Sequence, residues 1–468
     1  MDKRHTHSAA CNCLTLGNIV EWSNGRSALS ASALRAPVAC VWNDSRKVTK
    51  GDVFAAIATE SDDGHRYVGA AFKAGAAAAV VNRKTVIDCA PADRKKLIVV
   101  DDPLRAIGRA AARYRKELGI LIIGVTGSSG KTTTRSFIAS VLKQGFSVGE
   151  TYSNWNNHIG VPLSILRFTG CEWAGVIEMG ANHEHEIGPL SKITAPDIAV
   201  ITNIGYAHVG FFGSLAATTR AKFEIANGLN KKDGFLLLNG DDPRLVAESR
   251  RLGLKTVLFG RSSRCDVRPE NVSFDPEQGI SFNLDGSEFH CSAPGRHFLY
   301  SALPAIFLGR RCGIPDEKIA QALAAQKPLA LRGYIEKKKG ASFIVDCYNA
   351  NPSSMNIALE TLVETAAPEQ RVAIVGDMRE LGKYSKKLHR ELGAMLAKSK
   401  VNRVIAVGDF AGDVADGAVE AGMPARRICT VCTAEDAVVV ARKMVKQGDV
   451  VLIKGSRGVH LETVFEKF

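Results

Sequence analysis

GVTGSSGKTTT, residues 124–134, is the stretch that decides how this chain folds. The apolar run 118–125 before it reads as a buried parallel strand, and residues 132–142 after it read as the following helix. Between them, Gly127 and Gly130 let backbone N–H groups close around phosphate oxygens at a helix N-terminus. Lys131 brings a point charge to those phosphates, and the Thr132 hydroxyl suits Mg²⁺. Ser128, Ser129 and Thr133 complete the expected ATP contacts of the loop. Val125 stands five residues before Gly130, where such loops more often have glycine, leaving the shorter pattern T-G-x-x-G-K-T. A glycine-rich turn without a nucleotide would not need a strand and a helix at its two ends.

Working outward, strand and helix patterns alternate, which predicts an α/β protein with parallel sheets and crossover helices. Residues 1–13 are expected to be a flexible extension. A small N-terminal α/β section, 14–118, holds WNDSRKVTKGDVFAAI (42–57) and ends in LIVVDDP. The central section, 119–326, carries the phosphate loop and the strands AGVIEM, DIAVITNI and GFLLLNGDD in a mostly parallel sheet. Its tail, ISFNLDGSEFHCSA, predicts a hairpin turning at Asp285-Gly286. The C-terminal section, 327–468, repeats the rhythm in a Rossmann-like way: SFIVDCY, RVAIVGDM, RVIAVGD, RRICTV and VVLIKG.

At 468 residues, 46% of them hydrophobic, the chain can bury about three cores. No apolar run approaches the roughly 20 residues of a membrane span. The first residues, MDKRHTHSAACNC, lack an apolar h-region, so no secretory signal is expected. Eleven scattered cysteines suit reduced thiols in a cytosol. His5, His7, Cys11 and Cys13 read as part of the extension rather than as a metal site. Cys429 and Cys432 read as strand packing, followed by Thr433 and Asp436 as a helix cap. The formal charge of +13 is spread without a long run, so it fits a polyanionic small substrate with ATP as well as it fits nucleic acid.

Three further residues fall behind the phosphate loop. Glu178 ends the strand AGVIEM, at the carboxyl edge where ligands bind in such sheets. Its carboxylate is a natural second ligand for a metal held by Thr132. His208 follows the next strand at the same edge, and Lys222 lies on the helical stretch after it.

These segments together resemble the Mur ligase family of cell-wall enzymes. The matching motifs are DSRKVTKGDVFAAI, TGSSGKTTT, SNWNNHIGVPL, EMGANHEHEI, NIGYAHVGFFGS, AKFEI, NGDDP, DCYNANPSSM, GDMRELG and KGSRGVHLE, spread over nearly the whole chain. DCYNANPSSM is the most discriminating and resembles the branch that adds D-alanyl-D-alanine. The resemblance implies that Lys131 and the loop amides hold the β- and γ-phosphates. It implies two Mg²⁺ ions, one on Thr132 and Glu178 and a second helped by His208. Lys222 matches a lysine that becomes a CO₂-derived carbamate in the family, turning a repelling ammonium into an anionic metal ligand. Asn156, Asn157, Asn182 and His183 fall in segments facing the nucleotide-sugar peptide, and Ser45, Arg46, Phe54 and Ala56 in the uridine-side segment. Arg332 and Asp346 match residues that reach ATP when the third domain closes, and His297 lies in the adenine-side motif. Tyr348, Asn349, Asn351, Ser456 and Arg457 lie near the incoming dipeptide.

The implied reaction is ATP-dependent joining of D-alanyl-D-alanine to UDP-MurNAc-tripeptide through an acyl phosphate. The family further implies a cytoplasmic monomer with no nucleic-acid partner. Two rivals remain at this level: a folylpolyglutamate-like ligase with another amine acceptor, and a nucleotide-binding homologue that has lost catalysis. The chain departs from the family pattern at Phe298 and Ser301, where asparagines are usual on the adenine side; Phe298 has a ring that can stack on a base but no group to bond its edge. Gly210, His185 and Ser153 are also departures.

Overall fold

The computed structural model describes residues 14–328 and 330–468. His5, His7, Cys11 and Cys13 lie outside the described residues. Three sheets with helices on their faces confirm the α/β class. The first has five strands, in the order Arg26–Ser27, Leu97–Val100, Ala78–Asn82, Val53–Ala55 and Val41–Trp42, parallel except for the first pair.

The second sheet places the phosphate loop. Its six strands are all parallel, in the order Thr256–Phe259, Phe235–Asn239, Ile198–Ile201, Leu121–Thr126, Ala174–Glu178 and Val148–Glu150. Leu121–Thr126 is central and buried at every residue, as a strand covered on both faces must be. Its side chains alternate between two cores. Leu121, Ile123 and Val125 pack with Phe137, Ile138, Leu303 and Ile306 of the helices Lys131–Leu142 and Leu299–Arg311. Ile122 faces the helices Pro103–Leu118, Gly160–Ile165 and Ile187–Thr194. That second core also takes in Val41, Val53, Val80 and Ile98 of the first sheet, so Pro103–Leu118 is shared between two sheets.

The expected hairpin turns at Asp285 (φ 50°) and Gly286 (φ 84°), both in the left-handed region that a two-residue hairpin requires. The structure adds Glu270–Asp275 as a third antiparallel strand, which alternation alone did not reveal.

The third sheet runs Tyr334–Lys338, Ala341–Val345, Val450–Lys454, Arg371–Gly376, Arg403–Val407 and Ile428–Val431, antiparallel only at the first pair. Pro352–Thr365, Ser385–Lys398 and Ala411–Glu420 cover one face, and Ala434–Met444 and Glu462–Lys467 the other.

Thr433 caps Ala434–Met444 as expected, its hydroxyl accepting from the Asp436 amide at 3.1 Å. The expectation of reduced thiols holds at Cys40, Cys89, Cys265, Cys291, Cys312, Cys347, Cys429 and Cys432. It is corrected at Cys171, which is disulfide-bonded. Among the described residues no helix is long and apolar enough to cross a membrane.

Candidate active site

The loop after Leu121–Thr126 turns at Gly127 (φ +143°), where a Cβ would stand 2.0 Å from Oγ1 of Thr202. Only glycine lets the loop pass that close to the neighbouring strand end. The loop is then fixed from the next strand's exit. The Ser129 amide donates to Oδ1 of Asn203 at 2.9 Å, and the Thr202 hydroxyl to the Ser129 carbonyl at 2.6 Å. Gly130 (φ +77°) caps Lys131–Leu142, and Lys131 donates to the Gly127 carbonyl at 3.0 Å. Burial, eased by Glu178, lowers the Lys131 pKa from its usual value.

These groups open into a cavity of about 950 Å³ at the carboxyl edge of the second sheet. Ser128, Ser129, Gly130, Lys131, Thr132 and Thr133 line it, with Glu178 and His208 beside them. From the third sheet come Arg332, Asp346, Tyr348, Asn349 and Asn351; Asn156, Asn157 and Asn182 line the wall near Glu178, and His297 closes another side.

Glu178 is 2% exposed. Its Oε1 accepts from the Asn156 amide at 2.8 Å, while Oε2 is buried without a partner. An orphaned carboxylate oxygen is costly unless a ligand satisfies it. With the Thr132 hydroxyl and His208 on the same cavity, it makes a donor set of the hard oxygen and imidazole type that fits a divalent cation.

Lys222 stands behind this wall, 2% exposed, donating to the Ala181 carbonyl at 3.4 Å with the Phe212 ring 5.2 Å away. Burial first, and Lys131 second, push its pKa down to about 7. A side chain so placed holds a neutral amine near neutrality, the form that reacts with CO₂.

On the third-sheet side, Lys454 is 1% exposed and donates to Oδ2 of Asp346 at 2.6 Å and to the Asn349 carbonyl at 3.0 Å. The Arg332 guanidinium lies 3.9 Å from the Tyr348 ring centroid. Asn351 caps Pro352–Thr365 through the Ser354 amide, at 2.9 Å, and its own amide donates to the Ser129 hydroxyl at 3.2 Å. It therefore joins the third sheet to the phosphate loop.

Ser45, Arg46, Phe54, Ala56, His183, Ser456 and Arg457 are not brought to the cavity wall. His183 pairs with Glu186 at 3.2 Å and packs on Phe211. Ser456 is buried, its hydroxyl accepting from the Arg379 amide, and Arg457 pairs with Glu462. Arg46 is held on Asp44 at 2.9 Å, next to Ser45, away from this cavity. Phe54 and Ala56 are fully buried. Phe298 is 3% exposed and its ring stacks on Phe137, 6.1 Å between centroids. Phe298 nonetheless lines the cavity beside His297, as Ser301 does. Ser301 likewise spends its hydroxyl on Thr134 at 3.0 Å.

Sequence reasoning missed Lys454, although the strand VVLIKG ends on it at a sheet's carboxyl edge. It also missed an aromatic group between the first and second sheets. There Trp42, Tyr152 and Trp155 meet edge to face, and the Arg167 guanidinium lies 4.2 Å from the Tyr152 ring. Their aromatic and cationic types were the available signal.

This arrangement of phosphate loop, acidic strand end and a second α/β unit closing from the far side defines a nucleotide-dependent ligase. Three family descriptions match the chain in succession: the Mur ligase family catalytic domain over residues 37–115, the Mur ligase middle domain over 125–309, and the Mur ligase glutamate ligase domain over 333–457. The chain belongs to the Mur ligase family.

Its relatives include the UDP-N-acetylmuramoyl-tripeptide–D-alanyl-D-alanine ligase of Bacillus subtilis (strain 168), 36% identical over 427 residues, 91% of this chain and 92% of the relative. The Escherichia coli (strain K12) protein of the same name is 33% identical over 91% of this chain and 92% of its own. Among solved structures, MurF from Acinetobacter baumannii superposes with a TM-score of 0.86 at 29% identity, covering 97% of this chain and 98% of its own. MurF ligase from Thermotoga maritima in complex with ADP gives 0.78 at 30% identity, over 92% and 96%.

Proposed function

We propose that this chain is an ATP-dependent, ADP-forming peptide ligase that joins D-alanyl-D-alanine to UDP-N-acetylmuramoyl-tripeptide in peptidoglycan precursor synthesis. The observation that carries the reading is the convergence, on one cavity, of the phosphate loop with Glu178 and His208 on one side and the segment DCYNANPSSM on the other. The names of the full-length relatives support the same substrates.

In the first step the terminal carboxylate of the tripeptide attacks the γ-phosphorus of ATP. A carboxylate–phosphorus bond forms, the β,γ-bridging bond breaks, and ADP departs. Lys131 and the amides of residues 127–132 neutralise the charge that spreads over the transferring group. Arg332 approaches it from the third sheet. In the second step the dipeptide amine attacks the acyl carbon, loses a proton, and the tetrahedral intermediate expels phosphate. Asn349, Asn351 and Tyr348 are positioned to orient the incoming amine, and Asn156, Asn157 and Asn182 the nucleotide-sugar peptide. Burial by the two facing units keeps water from the acyl phosphate.

Magnesium, held by Thr132, Glu178 and His208, supplies charge neutralisation at the phosphates when bound. Lys222 is assigned as the carbamoylated lysine, its low pKa favouring the reactive amine. The sections 14–118, 119–326 and 327–468 are taken as uridine-side, ATP-binding and closing domains of a cytoplasmic monomer.

The test is incubation of the purified chain with ATP, Mg²⁺, UDP-MurNAc-tripeptide and D-alanyl-D-alanine, following phosphate release and product mass. A pentapeptide that requires all components is the expected result. ATP binding without product, with either a lysine or a diamino-acid tripeptide, would overturn it in favour of another acceptor or a retired homologue.

A further inference from the structure

His208 enters the cavity from a strained position: its own backbone is left-handed (φ +56°) and it opens the short helix Val209–Phe212. Its buried Nδ1 is in ion-pair contact with the carboxylate of Glu380 without meeting hydrogen-bond geometry. Glu380 comes from the other side of the molecule, on the loop GDMRELG that follows the strand Arg371–Gly376 of the third sheet.

We propose that Glu380 is a positioning residue for His208, so that the imidazole is set for its ligand only when the third sheet is docked on the second. The inference rests on the reading above, in which His208 serves a phosphate-bound cation.

Several independent contacts make this meeting specific. The Gly210 amide donates to the Glu380 carbonyl at 3.0 Å. A Cβ on Gly210 would stand 2.6 Å from that carbonyl oxygen and 2.6 Å from the Gly382 nitrogen, so only glycine lets the two backbones come together. Val209 is 2% exposed and packs within the apolar core of the third sheet. The Tyr384 hydroxyl donates to the Gly213 carbonyl at 3.0 Å.

The loop bearing Glu380 is itself held firmly on its own side. The Met378 amide donates to Nε2 of the buried His389 at 2.9 Å, and the Arg379 amide to the Ser456 hydroxyl at 2.9 Å. Asp377 accepts from the amides of Asp409 and Phe410. Glu380 (φ +65°) is thereby presented at a fixed point rather than on a wandering loop.

The chemistry of the pair gives the reason. A carboxylate on Nδ1 selects the Nδ1–H tautomer, fixes the ring and makes the remaining nitrogen, Nε2, a better ligand. Because the Glu380 side chain is 41% exposed, the ion pair adds little stability. Its effect is on ring orientation and tautomer. Ligands on the second sheet are thus completed by a group 172 residues away, and assembly of the site is tied to docking.

The test is a titration of the ADP-bound protein with Mn²⁺, followed by electron paramagnetic resonance, for wild type, Glu380→Ala, Glu380→Gln and Gly210→Ala. Glu380→Ala is expected to weaken Mn²⁺ roughly 10- to 100-fold, with ADP affinity in the absence of metal unchanged. Glu380→Gln, whose amide oxygen still accepts from Nδ1–H, is expected to recover most of the loss. Gly210→Ala is expected to weaken Mn²⁺ with the carboxylate intact, and serves alone if Glu380→Ala does not fold. Wild-type Mn²⁺ affinity in the folded variants would overturn the proposal. Failure of the wild type to bind Mn²⁺ would instead overturn the metal-ligand reading of the site.

Discussion

Lys454 donates to the Asp346 carboxylate at 2.6 Å from a side chain that is 1% exposed, closing a contact across 108 residues of sequence. The same ammonium reaches the Asn349 carbonyl, so one buried charge fixes the start of the segment that faces the phosphate loop.

Lys454→Met is therefore expected to cost about 3 kcal/mol, the lower end for breaking a buried pair because Asp346 keeps some solvent. Urea unfolding at neutral pH reads this directly. A loss below about 1 kcal/mol, in the range of exposed pairs, would show that the ammonium is solvated.

Lys222→Ala is expected to fold and to lose ligation, with partial recovery on adding a short-chain carboxylate. In the wild type, bicarbonate should activate CO₂-depleted protein more at pH 8 than at pH 6. The sign follows from a pKa of about 7: the neutral amine grows as pH rises through that value. Full activity of Lys222→Ala without additive would refute the carbamate.

His297 is pushed down to about 4 by burial, and its Nδ1 is buried without a partner. Between roughly pH 6.5 and 4 the unfolded chain binds a proton there that the folded chain does not. Stability from this group is thus lost as pH falls through that window. Comparison of urea midpoints at pH 7 and pH 5 should show a smaller acid loss in His297→Phe than in wild type. Equal losses would place a protonated, solvated imidazole in the native state.

Gly127→Ala brings a methyl group to 2.0 Å from Oγ1 of Thr202 at a φ that side chains avoid. Strain of about 1–3 kcal/mol in the loop should appear as weaker ADP binding by calorimetry, while the sheet persists by circular dichroism. Wild-type affinity would mean that the loop relaxes without reshaping its amides.

Much of this was legible because it is local. The strand, glycines and helix of residues 118–142 announce themselves by period and spacing, and Glu178 and His208 follow from being at strand exits. What escaped is set by distance along the chain. Nothing near Lys454 in sequence says that Asp346 will lie beside it, and GDMRELG gives no hint that Glu380 meets His208. Phe298 shows a second limit: its motif position gives no sign that Phe137 across the core stacks on the ring even as the residue lines the cavity. Phe54 and Ala56 pack in an apolar core with Trp42 and Phe72, a burial that the segment match alone does not announce.

The helix Pro103–Leu118 sends Ala106, Ile107, Ala110 and Tyr114 into a core that includes both Val53 of the first sheet and Ile122 of the second. No clean cut exists there: excising the first 118 residues would strip the second sheet of its cover and leave a greasy, aggregation-prone surface. The third sheet has its own packed faces, with Val209 its one visitor among those clustered residues. The molecule is hence lopsided in its freedom, a fused pair of lobes with a separable partner. An expression or fragment study should divide it near residue 327 and nowhere earlier.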